Sequence, residues 1–269
     1  MVADFFRKSW AAVPFDAKVL NWARRARAEG DQAVRDPALA RWWVCRDTWF
    51  VGVDALPNDV HGAFVGGEPL GGAPKRAIEA LFGAWAPLHR GQLSVVRPGY
   101  PQPREGESDA AFGYRLKRDA AHVDGIKAAG ADRRRRIDER HAWILGLPLT
   151  QNSPGEAPLV VWEGSHEIIR AALLEALAPH AEADWGRVDV TDAYVAARRR
   201  VFDTCRRVAV TAAPGAGYVL HRLAVHGVAP WVAPWGAPGP GQPGESATRM
   251  VAYFRPNWAG DMRAWLTAP

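Results

Sequence analysis

The segment His122-Val123-Asp124 places an imidazole and a carboxylate, two groups that bind metal ions well, two positions apart. In an extended chain, residues i and i+2 point to the same side, so both side chains can reach one ion. The triplet alone is weak evidence, because on the order of 0.4 such triplets is expected by chance in a chain of this composition. A metal site here therefore requires a further ligand from elsewhere in the sequence.

Later segments contain residues that could complete such a site. A Pro-Gly turn at 214–215 leads through an apolar strand to His226-Gly227, and Arg249 lies within another apolar strand. His221 is the second choice for the third ligand if a β-bulge alters the side of the strand on which it lies. Two histidines and one carboxylate on one face of an ion form a facial triad, the ligand set of non-haem iron(II) oxygenases.

The order of these motifs resembles the phytanoyl-CoA dioxygenase family of Fe(II)/2-oxoglutarate-dependent oxygenases over roughly residues 90–257. The matching parts are the His-x-Asp pair, a strand followed by Gly-Ser-His, the Pro-Gly turn before a distal His-Gly, and the late-strand arginine. The resemblance implies a double-stranded β-helix, which is a jelly-roll barrel. It also implies that His122, Asp124 and His226 bind Fe(II) and that Arg249 pairs with the distal carboxylate of 2-oxoglutarate.

The resemblance further implies an activity, the hydroxylation of a small organic substrate with O₂. Succinate and CO₂ would be the co-products. Halogenating relatives carry a small residue at the position of Asp124, so the intact carboxylate favours hydroxylation.

An arginine at position 249 has a physical reason in such a fold. A carboxylate pushed deep into a barrel costs several kcal/mol if it has no partner, and the planar guanidinium meets it with two hydrogen bonds. Arg255 is the alternative, but it lies beside Pro256 near the end of the strand. The sequence therefore predicts that Arg255 is exposed at the surface.

The chain departs from the family pattern in three places. The gap between His226 and Arg249 is longer than usual, and the Pro- and Gly-rich segment 230–246 accounts for it as a predicted surface-loop insertion. Val228 stands where the family usually has a hydroxyl residue, which removes one expected contact to 2-oxoglutarate. Glu163 stands where proline is common. None of these changes affects the predicted metal ligands.

The elements that must position these residues are mainly short strands. Helices are predicted over 16–30 and 75–85, and from residue 91 onward short apolar strands bounded by Pro or Gly dominate. One helix interrupts them, with Ser165 as its predicted N-cap. The pattern predicts a single mainly β domain with flanking helices. In this prediction, the N-terminal helices and strands within residues 1–88 pack on the barrel. Residues 89–257 form the core of the barrel.

Composition excludes several other classes of protein. The 269 residues are 48% hydrophobic and 23% charged, which is ordinary for a globular chain. No apolar run approaches the roughly 18 residues of a spanning helix, and Asp4, Arg7 and Lys8 interrupt any signal-peptide core, so a cytoplasmic protein without membrane contact is predicted.

The net charge is +5, but the arginine runs at 133–136 and 198–200 have acidic neighbours. They predict solvated surface and no nucleic-acid binding.

Two alternative functions remain open. One is a non-redox metal-binding jelly roll of the cupin kind, acting as an isomerase, a hydrolase or a binding module. The other is a non-catalytic interaction protein whose interface contains Trp231 and Trp235. A serine hydrolase is excluded, because no glycine follows Gly164-Ser165-His166 at the position that a nucleophile elbow requires.

Overall fold

Short segments rich in β-branched and aromatic residues form the strands of this protein. The computed structural model describes residues 2–233 and 248–268. The strands are β1 (Trp10–Val13), β2 (Trp43–Val44), β3 (Trp49–Gly52), β4 (Gln92–Val96), β5 (Ile126–Ala129), β6 (Arg134–Ile137), β7 (Ile144–Pro148), β8 (Leu159–Trp162), β9 (Arg207–Val210), β10 (Gly217–Leu220), β11 (His226–Val228) and β12 (Arg249–Phe254). The large sheet has the order β1-β10-β7-β12-β4-β3-β2, the small sheet has the order β11-β8-β9, and β5 pairs with β6.

The large and small sheets pack face to face. Ile144, Tyr218 and Val251 of the large sheet share one buried cluster with Leu159 and Val161 of the small sheet. All neighbouring strands within the sheets pair antiparallel. The predicted mainly β jelly-roll fold with flanking helices is confirmed. The described strands form two facing sheets and not one closed sheet.

Helices cover the outer faces of both sheets. They are α1 (Val2–Lys8), α2 (Ala17–Ala33), α3 (Ala73–Phe82), α4 (Asp109–Lys117), α5 (Ser165–Leu177), α6 (Thr191–Thr204) and α7 (Met262–Thr267), with 3₁₀ helices at Pro37–Trp42 and Glu182–Arg187. Trp22 of α2 and Ile78 of α3 pack against the large sheet in one cluster with Phe254. Leu173 of α5 and Trp265 of α7 belong to the cluster behind the small sheet.

Gly30 does not end α2, contrary to the prediction of a stop there. The helix continues to Ala33, and a Cβ atom on Gly30 would lie 2.9 Å from Sδ of Met250. Glycine at this position therefore allows α2 to pack closely on the large sheet. The second predicted helix, 75–85, begins and ends slightly earlier, over Ala73–Phe82, and stops at Gly83 in the left-handed conformation.

Ser165 does not cap α5 in the predicted way. Gly164 precedes the helix with φ of 78°, and Ser165 is the first helical residue. The Ser165 hydroxyl instead accepts a hydrogen bond of 2.9 Å from the backbone N–H of Val225. This bond connects the start of α5 to the residue directly before His226, so the Gly-Ser turn helps to place β11.

The first 88 residues supply β1, β2 and β3 of the large sheet as well as α1, α2 and α3. Of the predicted loop 230–246, only its first residues are described. Among these, Trp231 is buried and its backbone N–H donates to the carbonyl of Tyr100. Trp235 lies outside the described residues. Within 2–233 and 248–268, no helix has both the length and the apolar character needed to cross a membrane.

Candidate metal centre

His122, Asp124 and His226 meet at one point between the sheets. One ligand atom from each of the three lies within 4.8 Å of the others. Nε2 of His122 is 3.1 Å from Oδ1 of Asp124, and Nε2 of His226 is 3.7 Å from Oδ2 of the same carboxylate. The structure thus brings together the three residues that the sequence singled out as candidate ligands. One ion could contact all three side chains.

Backbone pairing produces this meeting. His122 and His226 form an isolated antiparallel bridge, with hydrogen bonds of 2.8 and 3.0 Å between their N–H and C=O groups. His226 is in turn paired with Val161 in the small sheet. Residues distant in sequence are therefore held in register by the main chain. The relative position of the two imidazoles does not depend on the side chains alone.

The ring orientation of both histidines suits metal binding. Nδ1 of His122 lies 3.0 Å from the carbonyl of Ala120, and Nδ1 of His226 lies 2.9 Å from the carbonyl of Ala224. A proton on Nδ1 lets each ring donate to its carbonyl and leaves the Nε2 lone pair free. Such backbone acceptors fix the tautomer and orientation of metal-binding histidines. Both Nε2 atoms then face the carboxylate of Asp124.

Burial and charge keep the two most buried members in the protonation states that a metal ion requires. Asp124 and His226 are each 7% exposed. Burial raises the pKa of Asp124, but the nearby Arg255 guanidinium and the two histidines outweigh it and hold the pKa well below its usual range. Burial also lowers the pKa of His226 to about 4. At neutral pH the carboxylate is therefore ionised and the imidazole of His226 is neutral.

Helix α6 supports the 122–124 segment from behind. The hydroxyl of Tyr194 accepts a 2.9 Å hydrogen bond from the N–H of Val123, and Arg198 donates to the carbonyl of Ala121 at 2.7 Å. The prediction that 198–200 is solvated surface is therefore wrong for Arg198, which is half-buried. It holds for the two exposed arginines that follow. A spacing signal existed in α6, because Tyr194, Ala197 and Val201 are its buried residues.

Arg249 lies inside the fold, 4% exposed. Its Nη2 donates to the hydroxyl of Tyr253 at 3.1 Å, and that hydroxyl is 2.9 Å from the hydroxyl of Tyr218. Its Nη1 is buried and has no hydrogen-bond partner among the described residues. A buried charged donor without an acceptor is costly. The arrangement therefore fits an anionic ligand, and Tyr253 lines the cavity that contains the three candidate ligands.

Arg255 is not the exposed residue that the sequence predicted. Its side chain is 20% exposed, and its Nη1 lies 3.2 Å from Oδ2 of Asp124. Its Nη2 donates to Oε1 of Gln92. Period-two alternation from Arg249 could have identified it, because positions 249, 251, 253 and 255 share one face of an extended chain. The neighbouring Pro256 outweighed that signal in the sequence interpretation.

The cavity at this centre has a volume of about 280 Å³. Its apolar walls include Trp49 and Val51 of β3 and, across from them, Leu159 and Val228 of the small sheet. Val228, the residue that replaces the expected hydroxyl, is therefore part of the wall. This volume is near the lower end of the usual range for small-molecule sites. The cavity therefore suits small ligands.

His221 does not join the centre. It is completely buried, its Nδ1 accepts from the N–H of Leu223 at 3.0 Å, and its Nε2 lies 3.2 Å from Nη2 of Arg170. The centroid of its ring lies 4.6 Å from that of His166, with the two rings tilted by 47°. His166 is 1% exposed and lies 3.2 Å from the Glu167 carboxylate. The choice of His226 over His221 agrees with the geometry. The pair of His166 and His221 instead packs between α1 and α5, beside Phe5 and Arg170.

Because of the buried pair His166 and His221, the free energy of unfolding is expected to decrease on mild acidification. Burial lowers the pKa of His166 to about 4, whereas the ordinary value is 6.5, and it also lowers the pKa of His221. Between these values the unfolded chain binds protons that the folded chain does not, so the free energy of unfolding decreases as the pH falls from about 6.5 toward 4. Urea unfolding of His166→Leu is expected to show a shallower pH slope than the unmodified protein.

The exposed His180 provides the matched control for this measurement. His180→Leu removes an exposed histidine outside the buried pair and is expected to leave the slope unchanged. Equal slopes for His166→Leu and the unmodified protein would contradict the prediction.

The sequence and the structure were compared with those of known proteins. No protein-family model matches the sequence, and no curated protein matches it. Among solved structures, the chain is similar to SnoK, a non-heme alpha ketoglutarate dependent carbocyclase from nogalamycin biosynthesis, with 14% identity and a TM-score of 0.52 over 94% of this chain and 82% of that chain. It is also similar to EctD from S. alaskensis with bound Fe, with 16% identity and a TM-score of 0.49 over 94% and 74% of the two chains. The similarity to SnoK shows that the two proteins share a fold.

Proposed function

We propose that the protein is an Fe(II)/2-oxoglutarate-dependent oxygenase that hydroxylates a small organic substrate with O₂ and forms succinate and CO₂. The observation that carries the proposal is the meeting of His122, Asp124 and His226 in one cavity, with both Nε2 atoms facing the carboxylate. We further propose kinship with the phytanoyl-CoA dioxygenase family, on the order of the sequence motifs. SnoK, whose fold the chain shares, is itself alpha ketoglutarate dependent, which supports the choice of co-substrate.

The donor set fits Fe(II). Two imidazoles and one carboxylate on one face of an ion leave adjacent coordination positions open for other ligands. Zinc hydrolases also use three protein ligands, so the triad by itself leaves the metal open. The buried Arg249, with an unpartnered Nη1, favours a metal that works with a carboxylate-bearing co-substrate. When bound, Fe(II) would activate O₂, which is the oxidant; 2-oxoglutarate would supply two electrons and leave as succinate and CO₂, with one oxygen atom of O₂ in succinate and the other in the hydroxylated substrate.

The residues of the chain have separate tasks in this proposal. The carbonyls of Ala120 and Ala224 orient the two imidazoles, and Asp124 remains ionised. Arg249 pairs with the distal carboxylate of the co-substrate. Tyr253 supplies the hydroxyl that Val228 lacks, because it bonds Arg249 and lines the cavity.

Apolar side chains form one part of the cavity wall. Trp49, Val51, Leu159 and Val228 line the cavity beside the candidate ligands and offer water few hydrogen-bonding groups. The burial of Arg249, which is 4% exposed, strengthens its pairing with a carboxylate. The same walls favour a substrate with an apolar portion at the reacting carbon.

The test is the anaerobic addition of Fe(II) and 2-oxoglutarate to the purified protein. A visible charge-transfer band is expected, and it should disappear in His122→Ala, because that variant lacks one of the two imidazoles. Circular dichroism shows whether the variant retains its fold. Loss of the band in a folded variant supports the assignment. A band of full intensity in His122→Ala would contradict it.

Product analysis then separates the reaction types. Hydroxylation adds one oxygen atom to the substrate with one succinate formed per turnover, whereas an oxidative ring closure, the type of reaction expected of a carbocyclase such as SnoK, removes two hydrogen atoms. Tight zinc or nickel binding without succinate formation over a panel of substrates would favour the non-redox, cupin-like alternative.

A further inference from the structure

We propose that Arg255 binds the carboxylate of the co-substrate that lies next to the metal ion, beside Asp124. The inference rests on the proposed function and assigns a second arginine to it. Arg255 follows β12 at the end nearest the candidate ligands, and its Nη1 lies 3.2 Å from Oδ2 of Asp124. It lines the same cavity as His122 and His226.

The guanidinium is held in a fixed orientation with donors to spare. Nη2 donates to Oε1 of Gln92, and the backbone N–H of Arg255 donates to Nε2 of His89 at 2.7 Å. A guanidinium has five N–H groups; one donates to Gln92, and Nη1 forms an ion pair with Asp124. The planar fork therefore retains donors for a carboxylate within the cavity.

Charge balance in the cavity also favours an anion beside Arg255. The other charged residues of the cavity wall, Lys127 and Glu139, form an ion pair with each other, and Lys127 also lies 3.5 Å from Asp138. Among the described residues, the ion pair of Arg255 is with Asp124, and the more distant Glu139 carboxylate also attracts the guanidinium. A divalent ion at Asp124 would share that negative charge and leave Arg255 beside a second cation. A carboxylate in the adjacent coordination position restores the balance.

Two arginines on one strand face match the two carboxylates of 2-oxoglutarate. Arg249 is buried deep in the fold next to Tyr253 and Tyr218, whereas Arg255 touches a candidate metal ligand. We therefore assign the distal carboxylate to Arg249 and the metal-proximal carboxylate to Arg255.

Pyruvate separates the two assignments, because it has the 2-keto acid group of 2-oxoglutarate and lacks the distal carboxylate. Calorimetric titration of the Ni(II)-loaded protein with each acid gives both dissociation constants without turnover. Arg255→Gln is expected to raise both by a similar factor, about 10- to 100-fold, since each complex loses charge-assisted hydrogen bonds. Arg249→Gln is expected to raise the constant for 2-oxoglutarate and to leave that for pyruvate unchanged.

Arg255→Lys and Arg24→Gln complete the set. Lysine retains the charge without the fork, so it should recover part of the affinity for both acids. Arg24 is an exposed arginine of α2, and its replacement should change neither constant. Titration of each metal-free variant with Ni(II) shows whether metal binding itself has changed.

Three results would overturn the inference. In the first, Arg255→Gln weakens Ni(II) binding and leaves both acids bound as before, which makes Arg255 a positioning residue for Asp124 only. In the second, Arg255→Gln weakens the binding of 2-oxoglutarate and leaves the binding of pyruvate unchanged, which would assign Arg255 to the distal carboxylate. In the third, the unmodified Ni(II)-loaded protein binds neither acid, which removes the proposed function and this inference together.

Discussion

Asp124→Asn is expected to weaken Fe(II) binding by at least about 100-fold and to abolish turnover. Loss of an outer partner of a metal ligand already costs about 10- to 100-fold in affinity or activity, and this substitution removes the anionic ligand itself. Asp124 is buried between two imidazoles and the Arg255 guanidinium. Neutral asparagine cannot balance the charge of a divalent ion there. Anaerobic titration with Fe(II) and a succinate assay measure the two effects.

The substitution also leaves Arg255 without its carboxylate, so activity alone does not isolate the effect on the metal; thermal unfolding separates a lost ligand from a lost fold. His226→Gln is the companion variant, because it removes a ligand and keeps the Asp124 to Arg255 ion pair. Asp54→Asn is the control, since the Asp54 side chain is 60% exposed. Normal Fe(II) affinity in Asp124→Asn would place the metal elsewhere.

Arg249→Gln is expected to have opposite effects on ligand binding and on stability. Truncating one partner of a buried, hydrogen-bonded charge pair costs about 2 to 5 kcal/mol, so the dissociation constant for 2-oxoglutarate should rise between about 30-fold and several thousand-fold. The ligand-free protein should be as stable as before or more stable. The reason is that glutamine removes a buried cation whose Nη1 has no acceptor among the described residues.

Calorimetry with 2-oxoglutarate and thermal unfolding without it measure these two effects. Arg249→Lys retains the charge and loses the planar fork, so its affinity should fall between those of the other two proteins. Normal binding of 2-oxoglutarate by Arg249→Gln, or a large loss of stability without ligand, would show that Arg249 serves the fold and not the co-substrate.

The sequence predicted more of the site than of the helices. His122 and Asp124 could be paired from their spacing, and Arg249 stood out as a charge in an apolar strand. Helices α1, α4, α6 and α7 were not predicted, although α6 has buried residues at helical spacing. The arginine run in α6 obscured that signal. Two side chains of α6, Tyr194 and Arg198, form hydrogen bonds to the backbone of residues 121–123. These tertiary contacts leave no pattern in the local sequence.

Two contacts could be recognised only in the folded chain. Ser165 accepts a hydrogen bond from the N–H of Val225, and Arg255 lies against Asp124. Alternation along the strand places Arg249, Tyr253 and Arg255 on one face, but no local pattern connects the two partners of either contact. Their side chains are of types that equally occupy helix caps, cores and surfaces. The residue type therefore allowed several roles, and packing selected one.

The sequence by itself identified the candidate metal ligands and which of them share a face of the extended chain, because alternation along such a chain is a local property of the backbone. The sequence favoured His226 over His221, but only the tertiary structure shows the bridge between His122 and His226 that brings His226 to the 122–124 segment. That bridge depends on how the two sheets pack around their shared core. Such packing is a sum over many distant contacts and has no signature within any one segment.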